Sequence, residues 1–396
     1  MFKSLTMFVI LYAVLFAAHP AMAWQKAETD KKNKTVSSAD AYNYILGTQA
    51  IGGSYQFTTS PPLVEAARAI LEMGSNTLKF TLVPDKSDNL KLANLTETAR
   101  NARSVQTVLA MPFANYLLWV YPVATESKRF LPESLQSEYV EMFDLTCYLL
   151  QTYAGTGKRF YLGNWEGDWH LTHTDPNYVP TAEEVQNMIA WVNMRQKAVD
   201  DARRKIPHRN VEVYYYLEVN RVVDATQGKV RLTNAVLPKT NVDYVSYSSY
   251  DALGGNISLS LPQALNYIEA QLPHKSGIPG KRVFIGEYGF AGVDRSPAEQ
   301  ESRSRQVMRA GLTWGCPFVL YWEMFNNEVT ADGKQTGFWL IDAHNVKQPV
   351  YYTHQRFYQQ AHQYVIQFQR SHHRLPTQNE YRAQAITLLD ALPVSH

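Results

Sequence analysis

Two glutamates follow apolar stretches of the chain, and each is flanked by glycine and aromatic residues. Glu166 lies in the segment FYLGNWEGDW at residues 160–169, and Glu287 lies in VFIGEYGF at residues 283–290. A charged carboxylate at the end of an apolar strand is costly unless it is paired or solvated in a cleft. Either glutamate alone could form a salt bridge at the rim of a domain, but two in similar surroundings favour a shared site.

Two facing carboxyl groups can hydrolyse a glycosidic bond. One carboxylate attacks the anomeric carbon and the other carboxyl group protonates the leaving oxygen, and in retaining enzymes the two lie ~5–5.5 Å apart. At that distance and an effective dielectric constant of ~20, their repulsion is about 3 kcal/mol, or roughly two pKa units. We therefore expect one carboxyl group to stay protonated near neutral pH while the other is ionised.

The segments that carry these glutamates alternate between strand and helix patterns. Eight strands are predicted, at residues 44–52, 77–83, 105–114, 159–165, 211–219, 242–247, 282–288 and 317–324. Each is followed by a helix or a helix-like stretch, at residues 61–74, 92–103, 133–153, 181–205, 233–237, 262–272, 296–314 and 352–368. Eight such units predict an α/β protein of the (β/α)8 TIM barrel class.

A doubly wound open sheet is the alternative to the barrel. That fold would want a glycine-rich phosphate turn after the first strand, and GTQAIGG at residues 47–53 does not match G-x-G-x-x-G. In a barrel, Glu166 would follow strand four and Glu287 would end strand seven. Both would then lie at the carboxyl ends of the strands, where the active sites of such barrels are found.

The ends of the chain are predicted to lie outside the barrel. Residues 1–23 have a weakly basic start, an apolar run and the small-x-small pattern AMA, which indicate a secretory signal peptide. Residues 24–40 would form a polar arm, residues 41–368 the barrel, and residues 369–396 a tail to which no role is assigned. The expected location is therefore secreted or periplasmic, with no membrane segment after cleavage of the signal.

The composition of the chain limits the kinds of molecule that the protein is expected to bind. The chain has 396 residues, 45% of them hydrophobic, and a formal net charge of +2. A chain of this kind can bury a large core, and its net charge gives no reason to expect a nucleic-acid partner. The two cysteines, Cys147 and Cys316, lack the spacing of a redox or metal site, so we expect buried thiols, although a secreted protein could pair them.

The two glutamate segments resemble those of the clan A glycoside hydrolases, which are retaining (β/α)8 enzymes. Trp322 in VLYWEMF resembles the tryptophan that these enzymes commonly have on strand eight, and residues 337–352 resemble their closing segment before the last helix. The resemblance spans most of residues 40–368. It implies that Glu166 is the acid/base, that Glu287 is the nucleophile, and that the substrate is a β-linked oligosaccharide or polysaccharide.

The chain departs from the clan pattern at two places. The clan usually has an asparagine directly before the acid/base, whereas here Asn164 is two residues before Glu166 and Trp165 stands between them. Asp168 therefore remains a rival acid. The clan often has an arginine on strand two beside the nucleophile, and this chain has Lys79 instead.

Further residues are expected to contact substrate because they lie at predicted strand ends. Tyr247 or Tyr250 would, by the resemblance, donate a hydrogen bond to the nucleophile. The remaining candidates are Asn164, Trp165, Trp322, Lys79, Glu218, Asn220 and Asn115, with Gln49, Tyr116, Trp169 and Arg221 as weaker ones.

No metal and no cofactor are expected. His170 and His173 lie in a polar loop without the spacing of metal ligands, and no G-x-S-x-G nucleophile elbow occurs. The hypothesis is a retaining glycoside hydrolase. Two alternatives stay open, a carbohydrate-binding barrel without catalysis and a transglycosylase that uses the same residues. The oligomeric state is open as well.

Overall fold

The computed structural model describes residues 39–88, 90–123 and 130–394. The predicted signal peptide, and all but the last two residues of the predicted arm, lie outside these ranges. Within them, no helix is long and apolar enough to cross a membrane.

Eight parallel strands close into a barrel, in sequence order, with β8 paired to β1. The strands are β1 (Leu46–Ala50), β2 (Thr77–Thr81), β3 (Asn115–Trp119), β4 (Arg159–Gly163), β5 (Glu212–Val219), β6 (Tyr244–Ser248), β7 (Val283–Tyr288) and β8 (Val319–Tyr321). Nearly every strand residue is buried, because helices cover the outer face and side chains fill the inner one. The predicted (β/α)8 fold is confirmed.

Eleven α-helices are present in the described ranges. They are α1 (Pro62–Met73), α2 (Leu95–Asn101), α3 (Arg103–Leu109), α4 (Leu135–Thr152), α5 (Gly167–Leu171), α6 (Ala182–Lys205), α7 (Val222–Thr226), α8 (Ile257–Gln271), α9 (Pro297–Trp314), α10 (Pro349–His372) and α11 (Gln378–Ala391). Two long helices start at caps visible in the sequence, since Thr181 and Glu184 form a capping box and Ser296 caps α9.

The predicted strand at residues 105–114 is wrong, because α3 occupies its first half and β3 begins only at Asn115. Val105, Val108 and Leu109 are fully buried, and their spacing of three and four is helical. An apolar run of this length does not distinguish a strand from a buried helix by composition. The consequence is that Asn115 and Tyr116 begin strand three instead of following it.

The segment predicted as a tail packs against the barrel. Helix α11 starts with a capping box formed by Thr377 and Glu380, and the buried Tyr381 donates a hydrogen bond to the carbonyl of Tyr44, just before β1, at 3.0 Å. Tyr42 adds an edge-on ring contact to Tyr381 at 5.1 Å. This helix therefore covers the amino end of the barrel, opposite to the predicted site.

One buried arginine fixes the chain where strand four ends. Arg195 on α6 donates to the carbonyls of Val120 and Gly163, at 2.7 and 3.2 Å, and pairs with Glu138 of α4 at 3.1 Å. The carbonyl groups at the ends of β3 and β4 are thereby held by one rigid guanidinium. Gly163 is the last residue of β4, so this contact sets the start of the segment that leads to Glu166.

Neither cysteine forms a disulfide. Cys316 is buried and Cys147 is half-buried, and both are free thiols. The prediction of a buried thiol is confirmed for Cys316, while Cys147 is more exposed than expected.

Candidate active site

Four strands bring acidic and hydroxyl side chains to the carboxyl end of the barrel. Glu166 follows β4, Glu218 is near the end of β5, Ser248 ends β6, and Glu287 is the next-to-last residue of β7. The exposed fraction is 8% for Glu166, 2% for Glu287 and zero for Glu218. The two glutamates singled out from the sequence therefore meet at one nearly buried site.

Ser248 lies between Glu166 and Glu287. Its Oγ is 2.5 Å from Oε1 of Glu166 and 3.2 Å from Oε2 of Glu287. These two distances together limit the separation of the two carboxylate oxygens to at most about 5.7 Å. That limit is compatible with the ~5–5.5 Å of a retaining pair.

Lys79 on β2 is the cation of the site. Its Nζ donates to Oε2 of Glu218 at 2.8 Å, to Oε1 of Glu287 at 3.0 Å and to the carbonyl of Gly286 at 3.2 Å. All three ammonium protons are thus used. The Nζ also lies 4.4 Å from the ring centre of Trp119, which adds a cation–π contact.

Glu218 links the ammonium of Lys79 to the backbone of Glu166. Its Oε1 accepts the N–H of Glu166 at 3.0 Å, and its Oε2 accepts from Ser246 at 2.7 Å as well as from Lys79. Both oxygens are therefore engaged within the protein. A side chain on Gly286 would collide with Ser246, since a Cβ there would lie 1.7 Å from its Oγ, so glycine is needed for this close approach.

Burial is the largest influence on the pKa values of Glu166 and Glu287. Burial raises the pKa of Glu166 to about 7, against the lowering effect of Ser248 and with a further rise from the charge of Glu218. Burial also raises the pKa of Glu287 well above its usual range, although the ammonium of Lys79 opposes this rise. Each carboxyl group is therefore easier to protonate than a glutamate in water.

The charge of Lys79 is secured by its two partners. Burial alone would lower the pKa of its ammonium, but the carboxylates of Glu218 and Glu287 outweigh burial, and the pKa ends above its usual value. A fully buried cation thus remains charged beside Glu287.

Asp168, the alternative acid considered from the sequence, accepts hydrogen bonds from three backbone N–H groups. Its Oδ2 accepts the N–H groups of Asn220 and Arg221 at 2.9 and 3.1 Å, and its Oδ1 accepts that of Leu232 at 2.7 Å. Asn220 returns the contact by accepting the N–H of Asp168 at 3.1 Å. Both residues therefore tie the loop after β4 to the loop after β5, and the carboxylate of Asp168 is occupied by backbone donors.

Asn164 and Trp165 shape the segment before Glu166. The fully buried amide of Asn164 donates to the carbonyl of Trp165 at 3.1 Å, and its oxygen accepts the N–H of Glu218 at 3.4 Å. The N–H of Trp165 donates to the hydroxyl of Tyr121 at 2.7 Å, and its half-buried ring stays at the barrel mouth. Asn164 thus braces the glutamates, while Trp165 is accessible from the mouth.

Of the two candidate tyrosines, Tyr250 lies near the glutamates and Tyr247 does not. Alternation along β6 turns Tyr247 outward, where its hydroxyl binds Asp251, and it turns Ser248 inward. Burial raises the pKa of the Tyr250 phenol well above its usual range, and the charges of Glu287 and Glu166 raise it further. Of the two predicted tyrosines, Tyr250 is therefore the one whose pKa is raised by the charges of both Glu287 and Glu166.

Trp322 lies at the mouth, and Asn115 lies at the opposite end of the barrel. The Nε1 of Trp322 donates to Glu328 at 3.1 Å, and its ring centre is 6.1 Å from that of Trp119. Asn115, by contrast, begins β3, where it donates to Thr77 at 3.0 Å and accepts from Arg159 at 2.8 Å. The prediction that Asn115 follows strand three is therefore wrong, and the structure does not bring Asn115 to the glutamates.

Ser246 and Ser248 were missed by the sequence analysis. The period of two along YVSYS, residues 244–248, places Tyr244, Ser246 and Ser248 on one face and Val245 and Tyr247 on the other. This alternation was the available signal, since two serines on the inward face of a barrel strand can donate to carboxylates from neighbouring strands.

In the described part of the chain, no cluster of three or more histidine, cysteine or acidic residues is arranged to hold a metal ion. His173 is paired with Glu184 at 2.7 Å, and the ring of His170 lies against Phe130 and Tyr121. Both histidines thus have structural neighbours in the loop after β4.

Comparison with known proteins gives matches among solved structures alone. No family model and no curated protein matches the chain. A GH5_18 protein from Bifidobacterium longum subsp. infantis has a TM-score of 0.54 at 14% identity, over 80% of this chain and 78% of its own. The exo-β-1,4-mannosidase Op5Man5 from Opitutaceae bacterium strain TAV5 has a TM-score of 0.55 at 13% identity, over 84% and 63%. A GH5_18 protein from Streptomyces cattleya has a TM-score of 0.52 at 12% identity, over 77% and 78%.

These identities are low, so the similarities show the fold. They confirm the architecture that the resemblance to clan A implied: this chain has the barrel fold of the glycoside hydrolases it matches.

Removal of the buried ammonium should destabilise the protein most at high pH. In Lys79→Met, Glu218 and Glu287 lose their shared cation, and removing one partner of a buried ion pair costs about 3–5 kcal/mol. Because the pKa of Glu287 is already raised and would rise further, the folded variant binds more protons than the unfolded chain and loses stability as pH rises. The free energy of unfolding in urea should therefore differ from wild type more at pH 8 than at pH 5.

Lys347→Met is the matched control, because Lys347 forms an exposed pair with Glu72 at 2.9 Å. This control should lose less than about 1 kcal/mol at either pH. A loss for Lys79→Met that is no larger than the control's, or that is larger at pH 5 than at pH 8, would contradict the role given to Lys79.

Proposed function

We propose that this protein is a retaining glycoside hydrolase in which Glu287 is the nucleophile and Glu166 the acid/base. The observation that carries the proposal is the single hydroxyl of Ser248, which contacts both carboxyl groups at 2.5 and 3.2 Å. Two carboxyl groups this close, at the carboxyl end of a (β/α)8 barrel, match the requirement of double displacement.

The roles proposed for Glu287 and Glu166 follow from which of the two contacts a cation. Burial raises the pKa of both carboxyl groups, but of the two it is Glu287 that directly contacts the ammonium of Lys79, and this contact favours Glu287 as the ionised member of the pair. No ammonium or guanidinium contacts the carboxyl group of Glu166 in the ranges that the structure covers, and its pKa is raised to about 7. We therefore assign the proton of this pair to Glu166.

The reaction then has two steps. Ionised Glu287 attacks the anomeric carbon and forms a glycosyl ester, while Glu166 gives its proton to the leaving oxygen as the glycosidic bond breaks. Glu166, now ionised, takes a proton from water, whose oxygen attacks the same carbon and frees Glu287. Two inversions leave the configuration of the sugar unchanged. A pKa near 7 suits a group that must donate and then accept a proton at neutral pH.

The neighbouring structures suggest which sugars to test first. One is an exo-β-1,4-mannosidase, and the Streptomyces cattleya protein is in complex with Manβ1-4GlcNAc. We propose a β-linked glycoside as substrate, with β-mannosides first and β-glucosides second. The segment at residues 1–23 supports the further proposal that the enzyme is secreted or periplasmic.

The test is hydrolysis of a panel of aryl β-glycosides and β-glycans by wild type and Glu287→Gln. We expect at least one substrate to be cleaved, and kcat to fall by about 10⁴-fold or more in the variant, since the ester can no longer form. Glycan binding without cleavage would favour a carbohydrate-binding barrel, and transfer to an added sugar in place of water would favour a transglycosylase. Full activity of Glu287→Gln would contradict the proposal.

The pH profile should identify Glu166 as the acid. Glu166 must be protonated for the first step, so kcat/KM for a substrate with a poor leaving group should fall as pH rises through about 7. Glu166→Gln should remove this limb and lower kcat/KM by about 10²–10⁴-fold. With a dinitrophenyl leaving group, which needs no proton, the loss in kcat/KM should be much smaller. An equal loss with both leaving groups would contradict the role of Glu166.

A further inference from the structure

Glu218 on β5 is a third carboxylate of the site, and the proposed reaction gives it no step. Its side chain has no exposed surface, and both of its oxygens accept hydrogen bonds from the protein. Its Oε2 accepts from Lys79 at 2.8 Å and from Ser246 at 2.7 Å, and its Oε1 accepts the N–H of Glu166 at 3.0 Å. A carboxylate without accessible surface affects a substrate only through the groups that it binds.

Neighbouring segments enclose Glu218 closely. Its N–H donates to Oδ1 of Asn164 at 3.4 Å. A Cβ on Gly286 would lie 3.2 Å from its Oε2, and a Cβ on Gly167 would lie 2.8 Å from its carbonyl oxygen. The two glycines thus let β7 and the segment after β4 approach Glu218 from either side, which holds its carboxylate between Lys79 and Glu166.

The groups around Glu218 respond to its charge. Burial raises the pKa of Glu166 to about 7, and the charge of Glu218 raises it further. Burial lowers the pKa of Lys79, but the charges of Glu218 and Glu287 outweigh burial. The other titratable groups that interact with this cluster are buried, and burial raises the pKa of each and so favours the uncharged form: Tyr216 on β5, Tyr250 after β6 and Glu323 after β8.

The proposed reaction moves one negative charge within this cluster. Before the first step, Glu287 is ionised and Glu166 holds the proton. In the glycosyl ester, Glu287 is neutral and Glu166 is ionised. Lys79 thereby loses the charge of one of its two carboxylate partners, and a buried ammonium without a carboxylate beside it would favour the neutral form. Glu218 is the partner that remains.

We propose that Glu218 is a positioning residue that stays ionised through both steps, so that Lys79 remains charged and the backbone of Glu166 stays fixed. This inference rests on the proposed function and concerns mainly its second step. The negative charge beside the backbone of Glu166 also makes the ionised Glu166 a stronger base toward the attacking water.

Glu218→Gln should slow the second step more than the first. The amide has the shape of the carboxylate without its charge, so Glu166 becomes a weaker base and the ester leaves Lys79 without a carboxylate. With a dinitrophenyl glycoside, for which the second step limits turnover, kcat should fall by about 10- to 100-fold, and KM should fall with it because the ester accumulates. With a poor leaving group, the alkaline limb of kcat/KM should move to lower pH, because the pKa of Glu166 loses the rise that the charge of Glu218 causes.

Two further variants separate charge from packing. Glu218→Asp keeps the charge but is shorter by one methylene group, so the alkaline limb should stay near the wild-type pH, while kcat falls because the N–H of Glu166 is no longer held. Glu301→Gln is the matched control, since Glu301 on α9 is also fully buried and accepts from Thr353 at 2.6 Å. It should keep the wild-type kcat, KM and alkaline limb.

The outcomes separate this inference from the proposed function. Suppose that wild type cleaves a glycoside, and that Glu218→Gln either keeps full activity or loses kcat/KM equally for both leaving groups with an unmoved limb. Either result would overturn the inference alone, since a merely structural residue would behave in this way. If Glu218→Gln does not fold, full kcat in Glu218→Asp, or a limb of Glu218→Asp at lower pH, would overturn it.

A measurement that needs no turnover covers the remaining case. If no glycoside is cleaved, the proposed function fails, and NMR titration of the Glu166 carboxyl group in wild type and Glu218→Gln, with isotope-labelled glutamate, still tests the charge of Glu218. We expect a lower pKa of Glu166 in the variant. An unchanged or higher pKa would overturn the inference.

Discussion

One buried ammonium governs the arrangement at the mouth of this barrel. Lys79 is fully buried and binds the carboxylates of Glu218 and Glu287 at once. Neither carboxylate could stay ionised at such depth without a cation, because the loss of hydration would be too costly. The third carboxyl group, that of Glu166, contacts no ammonium or guanidinium of the described residues, and burial raises its pKa to about 7. The proposed difference in charge between Glu287 and Glu166 thus depends on the position of a single lysine.

The barrel holds this cluster through contacts that lie outside it. Arg195 binds the carbonyl of Gly163 and sets the end of β4, and Asp168 binds three backbone N–H groups of the loops after β5. Glu218 then fixes the N–H of Glu166. Glu166 is therefore positioned through its backbone, while its carboxyl group contacts Ser248. Such bracing from rigid elements is what a precise catalytic geometry requires.

Much of this site was predictable from the sequence, because a glutamate after an apolar strand is conspicuous. Glu166, Glu287 and Glu218 were recognised on that basis, Lys79 was recognised because it stands where the clan often has an arginine, and the four side chains meet. Asn115 was predicted to follow strand three, whereas it begins that strand. The error arose because Val105, Val108 and Leu109 belong to a buried helix, and a short apolar segment of this kind can be either a strand or a buried helix. Tyr247 was chosen over the serines of β6 because the resemblance drew attention to tyrosine, although alternation along the strand turns it outward.

Trapping of the covalent intermediate would identify the carboxyl group that forms the glycosyl ester. A 2-deoxy-2-fluoro β-glycoside with a dinitrophenyl leaving group, built on the sugar that the panel identifies, should accumulate as an ester because the fluorine slows its hydrolysis. We expect the mass of each chain to increase by one fluoroglycosyl unit, which peptide mass spectrometry should locate on Glu287. A label on Glu166, or turnover of the parent substrate with inversion at the anomeric carbon, would contradict the role of Glu287 as the nucleophile.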